Sequence, residues 1–378
     1  MAFKVVTPGF EQAFERWTDA LEKANSMKSS LKSWFKDIRI LEGSQSQWRL
    51  VWVFGRGRSH PEYLGPGTYD RLARLFIEEA QQEAQAEALS ENSSSAQPWQ
   101  IREHRFEWGS RSYLMGVLNV TPDSFSDGGQ FNTVETALAQ AQALVEAKMD
   151  ILDIGGQSSR PGSKPTTLAE ECDRVIPVIE AIRASPHDWL RDIPISVDTT
   201  RAQVAQAALA AGADIINDIS GGTYEPEIFN IVAAADAPIM LMHLRGTPET
   251  MQQMTDYDNL MGEIVTFLAA QADKAVEAGI NPQKIAVDPG IGFAKTVMQN
   301  VEILRELEKL KVLNCPILVG TSRKSFIGKL LDQPKASERV WGTAATLDCA
   351  IAHGADILRV HDGRQMQEVC QMADLLWR

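Results

Sequence analysis

Residues 113–154, YLMGVLNVTPDSFSDGGQFNTVETALAQAQALVEAKMDILDI, hold one complete repeat of the pattern that decides the fold. The stretch begins with an apolar run, 113–120, and ends with a second, 149–154. Between them Ala137, Leu138, Ala141, Leu144 and Val145 recur at helical spacing. Neither run alternates polar with apolar residues, so each reads as a strand covered on both faces, the habit of parallel sheets wrapped by helices. The polar, glycine-bearing segment after the first run is then a loop at the carboxyl end of its strand.

Working outward, the same unit repeats. Apolar, β-rich runs recur at 193–197, 214–219, 238–242, 285–287, 316–319 and 357–360, eight in all with the first two. Amphipathic helices alternate with them. Thr167-Leu-Ala-Glu170 is a capping box opening a stripe of Leu168, Cys172, Val175, Ile176 and Ile179, and Val297, Val301, Leu304 and Leu307 form another. Eight parallel strands predict closure into a barrel rather than an open sheet. The expected fold is α/β, a (β/α)8 TIM barrel over residues 99–378 behind a small N-terminal α+β extension, 1–98.

The boundary rests on 79–98, EAQQEAQAEALSENSSSAQP, which passes from an Ala/Glu/Gln helix end into a Ser-rich linker closed by Pro98. Four of the nine tryptophans lie in residues 1–98, with a strand-like WRLVWVF (48–54) and a helix-like run over 69–89. This is too aromatic for a disordered tail. After the linker, 99–112 alternates around Trp108-Gly109-Ser110, which predicts a short hairpin turning there.

Composition excludes several classes. The chain is 44% hydrophobic and 23% charged, the balance of an ordinary globular protein. No apolar run is long enough for a membrane span, and the N-terminus lacks the basic and apolar regions of a signal peptide, so a cytoplasmic protein with no membrane partner is expected. Cys172, Cys315, Cys349 and Cys370 show no metal or redox spacing and read as small core residues. The net charge of −13 argues against nucleic acid. Residues 1–99 carry 12 basic and 13 acidic groups, leaving 25 and 37 of the totals downstream. If this acidic region handles a phosphorylated substrate, it must gather positive charge locally.

It has the residues to do so. Every predicted strand ends in polar side chains, the place where barrel enzymes carry their chemistry. Asp198, Asn217 and Asp288 follow three apolar strands, and carboxylate and amide groups in a pocket suit a fused heterocycle whose edge presents both donors and acceptors. A second set is cationic: Arg160, Arg323, Lys324, Arg359 and His361. His243 reads as a packed rim histidine, Asp218 and Asp362 as structural carboxylates, Gly221-Gly222 as turn glycines and Arg245 as a solvated loop residue.

These motifs, in this order, resemble the dihydropteroate synthases: MGVLNVTPDSFSDGG (115–129), DIGGQSSRPG (153–162), SVDT (196–199), IINDI (215–219), DPGIGF (288–293), SRKS (322–325) and RVHD (359–362). The likeness spans about residues 99–378. It implies condensation of 6-hydroxymethyl-7,8-dihydropterin diphosphate with 4-aminobenzoate, a step of folate synthesis. It also implies roles: Asp198, Asn217, Asp288 and Lys324 hold the pterin, Met242 packs near it and Arg359 lies over its face. Asn119 helps hold Mg2+, while Arg160, Arg359 and His361 receive the diphosphate. Ser159, Pro161, Phe293, Ser325 and Phe125 form the 4-aminobenzoate and sulfonamide pocket, and Asp127 favours a cationic intermediate. The resemblance further implies a homodimer.

Two positions depart from the family's habit, Gln157 for Glu and Ser159 for Thr, and Ala294 replaces a common Gly. The loss of a methyl at Ser159 bears on 4-aminobenzoate and sulfonamide affinity. The competing readings are a pterin-binding methyltransferase domain, which has no use for a diphosphate, and a non-catalytic pterin-binding paralogue. No family resemblance is read for the extension, whose role stays unassigned.

Overall fold

The computed structural model describes residues 2–7, 10–14, 38–44, 47–54, 96–121, 131–157 and 166–378. The chain divides into two compact units, Met1–Asn92 and Ser93–Arg378. In the first, β1 (Ala2–Thr7), β2 (Phe10–Phe14), β3 (Ile38–Ser44) and β4 (Gln47–Phe54) make an antiparallel sheet of order β2-β1-β3-β4. The strand expected over 48–54 falls within β4. The helix-like run and the Ser-rich stretch up to residue 95 lie outside the described residues.

The second unit opens with a hairpin, β5 (Trp99–Ile101) and β6 (His104–Phe106). Eight parallel strands follow: β7 (Tyr113–Asn119), β8 (Ile151–Gly155), β9 (Ile195–Asp198), β10 (Ile215–Asp218), β11 (Ile239–Met242), β12 (Ile285–Asp288), β13 (Leu318–Val319) and β14 (Ile357–Val360). They pair in the order β12-β11-β10-β9-β8-β7-β14-β13. The remaining gap is bridged at Val287 and Ile317, and the Val287 amide donates to the Pro316 carbonyl at 2.9 Å. This closes the barrel. Helices occupy each connection, and the Thr167–Glu170 capping box forms as expected.

Burial explains why the strands were so apolar. Outward-facing residues such as Leu118, Ile154, Val197 and Ile216 pack under the helices, while Met115, Ile151, Ile215, Met240 and Ile357 fill the barrel interior. That interior cluster includes Trp99, Ile101 and Phe106, so the hairpin plugs the amino-terminal end. Its turn is not where the sequence placed it. Trp99 pairs with Phe106 and the chain reverses at Arg102-Glu103. Gly109 does take a left-handed conformation, φ 79°, but in the following turn. Arg102 accepts φ 52° because its guanidinium is anchored, Nε to Asp214 at 2.7 Å and Nη2 to the Gly212 carbonyl at 3.1 Å. Tertiary contacts outweigh local preference here. Phe106 is 1% exposed, so Phe106→Ala should cost about 3–5 kcal/mol in urea unfolding. A loss below about 1 kcal/mol would show that the plug contributes little.

With one end plugged, the carboxyl ends of the strands are left as the open face.

Candidate active site

At that face the strands set polar groups side by side. Asn119, Gly155, Asp198 and Asn217 are register partners on β7, β8, β9 and β10. Asp288 ends β12, opposite Met242 at the end of β11. The absence of a side chain at Gly155 matters, since a Cβ there would sit 3.6 Å from Asn119 Oδ1 and 3.7 Å from the Asp198 Cβ. Glycine keeps the row open between amide and carboxylate. Asn217, Met242 and Asp288 are all buried.

Arg359 reaches past β7 to two carboxylates. Its Nε meets Asp153 Oδ2 at 2.6 Å and its Nη2 meets Asp198 Oδ2 at 2.9 Å. Burial works against its charge, but Asp153 and Asp198 outweigh that and hold the guanidinium more basic than a solvated arginine. Burial pushes the Asp198 carboxyl well above the usual range, against the pull of Arg359. Asp153 is fully buried, and its Oδ1 has no hydrogen-bond partner among the described residues. The other such atom is Ser196 Oγ, on the register partner of Asp153. Unmatched polar atoms at one level of a barrel are where a ligand or an ordered water is expected.

Lys324 precedes the helix Ser325–Leu331. Its ammonium donates to the Ile291 carbonyl and lies 4.6 Å from the centre of the Phe293 ring. A Cβ added to Gly320 would be 3.6 Å from the Arg359 Cβ and 3.9 Å from Lys324 Nζ, so the stem of Arg359 and the ammonium of Lys324 flank that glycine. Burial brings Lys324 down to about 8, despite Asp288 nearby. His361 is fastened to the same loop: its backbone amide and Nδ1 lie 3.1 and 3.0 Å from Ser322 Oγ. Ser325 is exposed at the first turn of its helix and Phe293 is half-buried.

The structure thus brings together Asn119, Asp198, Asn217, Met242, Asp288, Phe293, Lys324, Ser325, Arg359 and His361 at one end of the barrel. Phe125, Asp127, Ser159, Arg160 and Pro161 lie outside the described residues. Two readings change. Arg323 is committed elsewhere, ion-paired with Asp362, which accepts from its Nε at 3.0 Å. Arg245 is no solvated loop residue: its guanidinium stacks 3.7 Å over the Tyr257 ring and pairs with Glu263. Asp153 is a site carboxylate that the sequence reading does not name. Its signal was there, a carboxylate inside the run ILDIGG whose neighbours are all apolar or glycine.

Comparison with known proteins agrees with this geometry. The profile of a family described as "Pterin binding enzyme" matches residues 115–361. The chain is 57% identical over 281 residues to a dihydropteroate synthase of a Synechocystis strain, covering 74% of this chain and 96% of that one. A folate synthesis bifunctional protein of Arabidopsis thaliana is 39% identical, over 73% of this chain and 59% of its own longer length. Among solved structures, the Xanthomonas albilineans dihydropteroate synthase with 4-aminobenzoic acid superposes with a TM-score of 0.68 at 37% identity, covering 75% of this chain and 98% of that one. The chain belongs to the pterin-binding enzyme family and, within it, to the dihydropteroate synthases.

Proposed function

We propose that the protein condenses 6-hydroxymethyl-7,8-dihydropterin diphosphate with 4-aminobenzoate, releasing 7,8-dihydropteroate and diphosphate, on the open face of its barrel. The observation that carries this is the pairing of a polar floor, Asp198, Asn217 and Asp288, with Lys324 and Arg359 converging beside it. A pterin presents an amino-pyrimidinone edge to the floor. Carboxylates accept its N–H groups and the Asn217 amide can do both, so the ring's donors and acceptors would find partners in the acceptor and donor capacity the floor keeps beside its internal bonds.

The scissile bond is then the C–O bond between the pterin methylene and the diphosphate. Diphosphate departs with the bonding pair and its charge grows beside Lys324, Arg359 and His361. The methylene cation is delocalised into the ring, and the arylamine nitrogen closes the new C–N bond and sheds one proton. Preorganised charge facing a leaving group is usually the largest catalytic contribution. No side-chain nucleophile is needed. Phe293, with its ring against Lys324, walls the side from which the amine arrives, and Ser325 follows Lys324 at the start of its helix.

Mg2+ fits this end of the barrel. Asn119 offers a neutral oxygen, and among the described residues no three His, Cys, Asp or Glu side chains gather to make a protein cage for a metal. Mg2+ commonly takes one or two protein oxygens and completes its shell with water and phosphate oxygens. Asn119 would hold the ion, which when bound neutralises diphosphate charge. No described helix is long and apolar enough to cross a membrane.

Incubation with the pterin diphosphate and labelled 4-aminobenzoate tests the reading. Labelled dihydropteroate supports it; bound pterin without product would favour the non-catalytic paralogue. The pH profile is a further check. Lys324 must be charged to receive diphosphate, and its ammonium is lost as pH rises through about 8. The profile of kcat/KM, which reports the free enzyme, should fall on that alkaline side, and the fall should be absent in Lys324→Arg. A wild-type profile flat to pH 10 would remove Lys324 from this role.

A further inference from the structure

The turn after β12 is held in an unusual way. Four successive carbonyls each accept from a different side chain: Ile291 from Lys324, Gly292 from Gln252 at 3.1 Å, Phe293 from Lys295 at 3.0 Å and Ala294 from Tyr257 at 3.0 Å. Its backbone is left-handed at Gly290, Gly292 and Ala294, with φ of 72°, 84° and 51°. Ala294 therefore carries strain that a glycine would not. Something must over-determine this conformation.

Lys295 is at its centre. The residue is 3% exposed, and its ammonium also lies 3.0 Å from Nδ1 of His243, itself 1% exposed. A Cβ added to Gly290 would come 3.3 Å from that ammonium and 2.1 Å from the His243 carbonyl oxygen. The Gly290 amide donates to Asp288 Oδ1 at 2.7 Å, and the His243 amide donates to the Asp288 carbonyl at 2.9 Å. The catalytic mechanism above uses neither Lys295 nor His243.

We propose that Lys295, seated on a neutral His243, is a positioning residue that keeps Asp288 a charged acceptor and holds the Phe293 turn against Lys324. Held as an ammonium, Lys295 can only donate, which makes His243 Nδ1 the accepting, unprotonated nitrogen and puts the hydrogen on Nε2. Burial, then Lys295 and Arg245, bring His243 down to about 2, in accord with that tautomer. Asp288 is faced by Lys324, Lys295 and Arg359 and by the Gly290 amide; burial pushes its carboxyl up and these groups pull it back. Lys295 in turn faces Asp288, Lys324 and Arg245: burial lowers it well below its ordinary value, and Asp288 is the group that favours its charge. A buried cation behind the turn thus opposes the cost of burying the carboxylate that reads the heterocycle. Phe293 depends on the same group, because its carbonyl is one of the two acceptors of Lys295.

The inference rests on the assignment of Asp288 to the pterin, and the test separates the two. The pH profile of kcat/KM for the pterin diphosphate is measured for the wild type, Lys295→Met, His243→Asn and Asp288→Asn. Removing the ammonium raises the Asp288 carboxyl, so the acid limb of Lys295→Met should move up by about one pH unit, a further loss that approaches about tenfold at pH values below both limbs. Most of that loss should appear in KM. His243→Asn supplies an amide oxygen in place of Nδ1 and should recover most of the wild-type profile. A Lys295→Met profile with the wild-type limb and KM overturns the inference. If instead Asp288→Asn binds the pterin diphosphate as the wild type does, the assignment of Asp288 falls, and the inference with it. Should Lys295→Met not fold, the nitrogen-15 spectrum of the wild-type histidines decides, with His243 identified by its absence in His243→Asn. An Nε2-protonated neutral ring at pH 6 is expected, and an imidazolium there overturns the proposal.

Discussion

Arg359→Leu should lower kcat/KM by about a thousandfold or more, on the scale of removing a preorganised charge from a reacting centre. It should also destabilise the barrel by about 3–5 kcal/mol, because one change leaves two buried carboxylates without their cation. Asp153 loses its contact at 2.6 Å and Asp198 its contact at 2.9 Å, and Asp153 Oδ1 already has no partner among the described residues. The sign of the pH dependence follows. Burial already holds the Asp198 carboxyl at about 7, and removing Arg359 takes away the group that pulls it down, so the native variant binds more protons than the unfolded chain. Stability of the variant should then rise as pH falls from 8 towards 6, the window in which Asp198 regains its proton. Adding Asp153→Asn should recover stability without restoring turnover, since one buried charge is removed and no cation returns. Urea unfolding at pH 6 and 8, with kcat/KM on the same samples, reads each effect. Turnover close to wild type in Arg359→Leu would withdraw its role.

Lys324→Ala is expected to be as damaging by a different route. A unit charge about 4 Å from another is worth about 4 kcal/mol at an effective dielectric of 20, which corresponds to about a thousandfold in rate. Lys324 also fastens the Ile291 carbonyl and lies against Phe293, so part of the loss should appear as weaker 4-aminobenzoate binding. The leaving-group share is isolated by single-turnover measurement at saturating substrates, where the rate of the chemical step should remain depressed about a hundredfold or more. Stability should change little, because removing a buried ammonium relieves its desolvation while costing Asp288 one neighbour. A single-turnover rate within a factor of three of wild type would show that Lys324 only binds.

The fold was legible because of its symmetry. A strand buried on both faces has no choice but to be apolar, and eight such runs separated by helical stripes leave few architectures; the last strand, Ile357–Val360, was readable to the residue. What could not be read was tertiary. The hairpin turn was assigned to Gly109 because local preference favours glycine, yet Arg102 turns there through its bonds to Asp214 and Gly212. Leu168, read as part of a buried stripe, is 38% exposed at the start of its helix. Among the cations, composition could not separate Lys324, which faces the floor, from Arg323, which is spent on Asp362. Lys295 left no mark at all: a lysine after Gly-Phe-Ala resembles any loop lysine until His243, from another strand, is seen beneath it. Asp218 was read rightly as structural, since it binds the Ser220 and Gly222 amides of the next turn.

The most direct measurement is a crystal structure with 6-hydroxymethylpterin, Mg2+ and diphosphate bound together. The heterocycle edge should meet Asp198, Asn217 and Asp288, with diphosphate oxygens within hydrogen-bond reach of the Lys324, Arg359 and His361 side. Diphosphate bound well away from those cations, or a pterin seated outside the barrel mouth, would contradict the account.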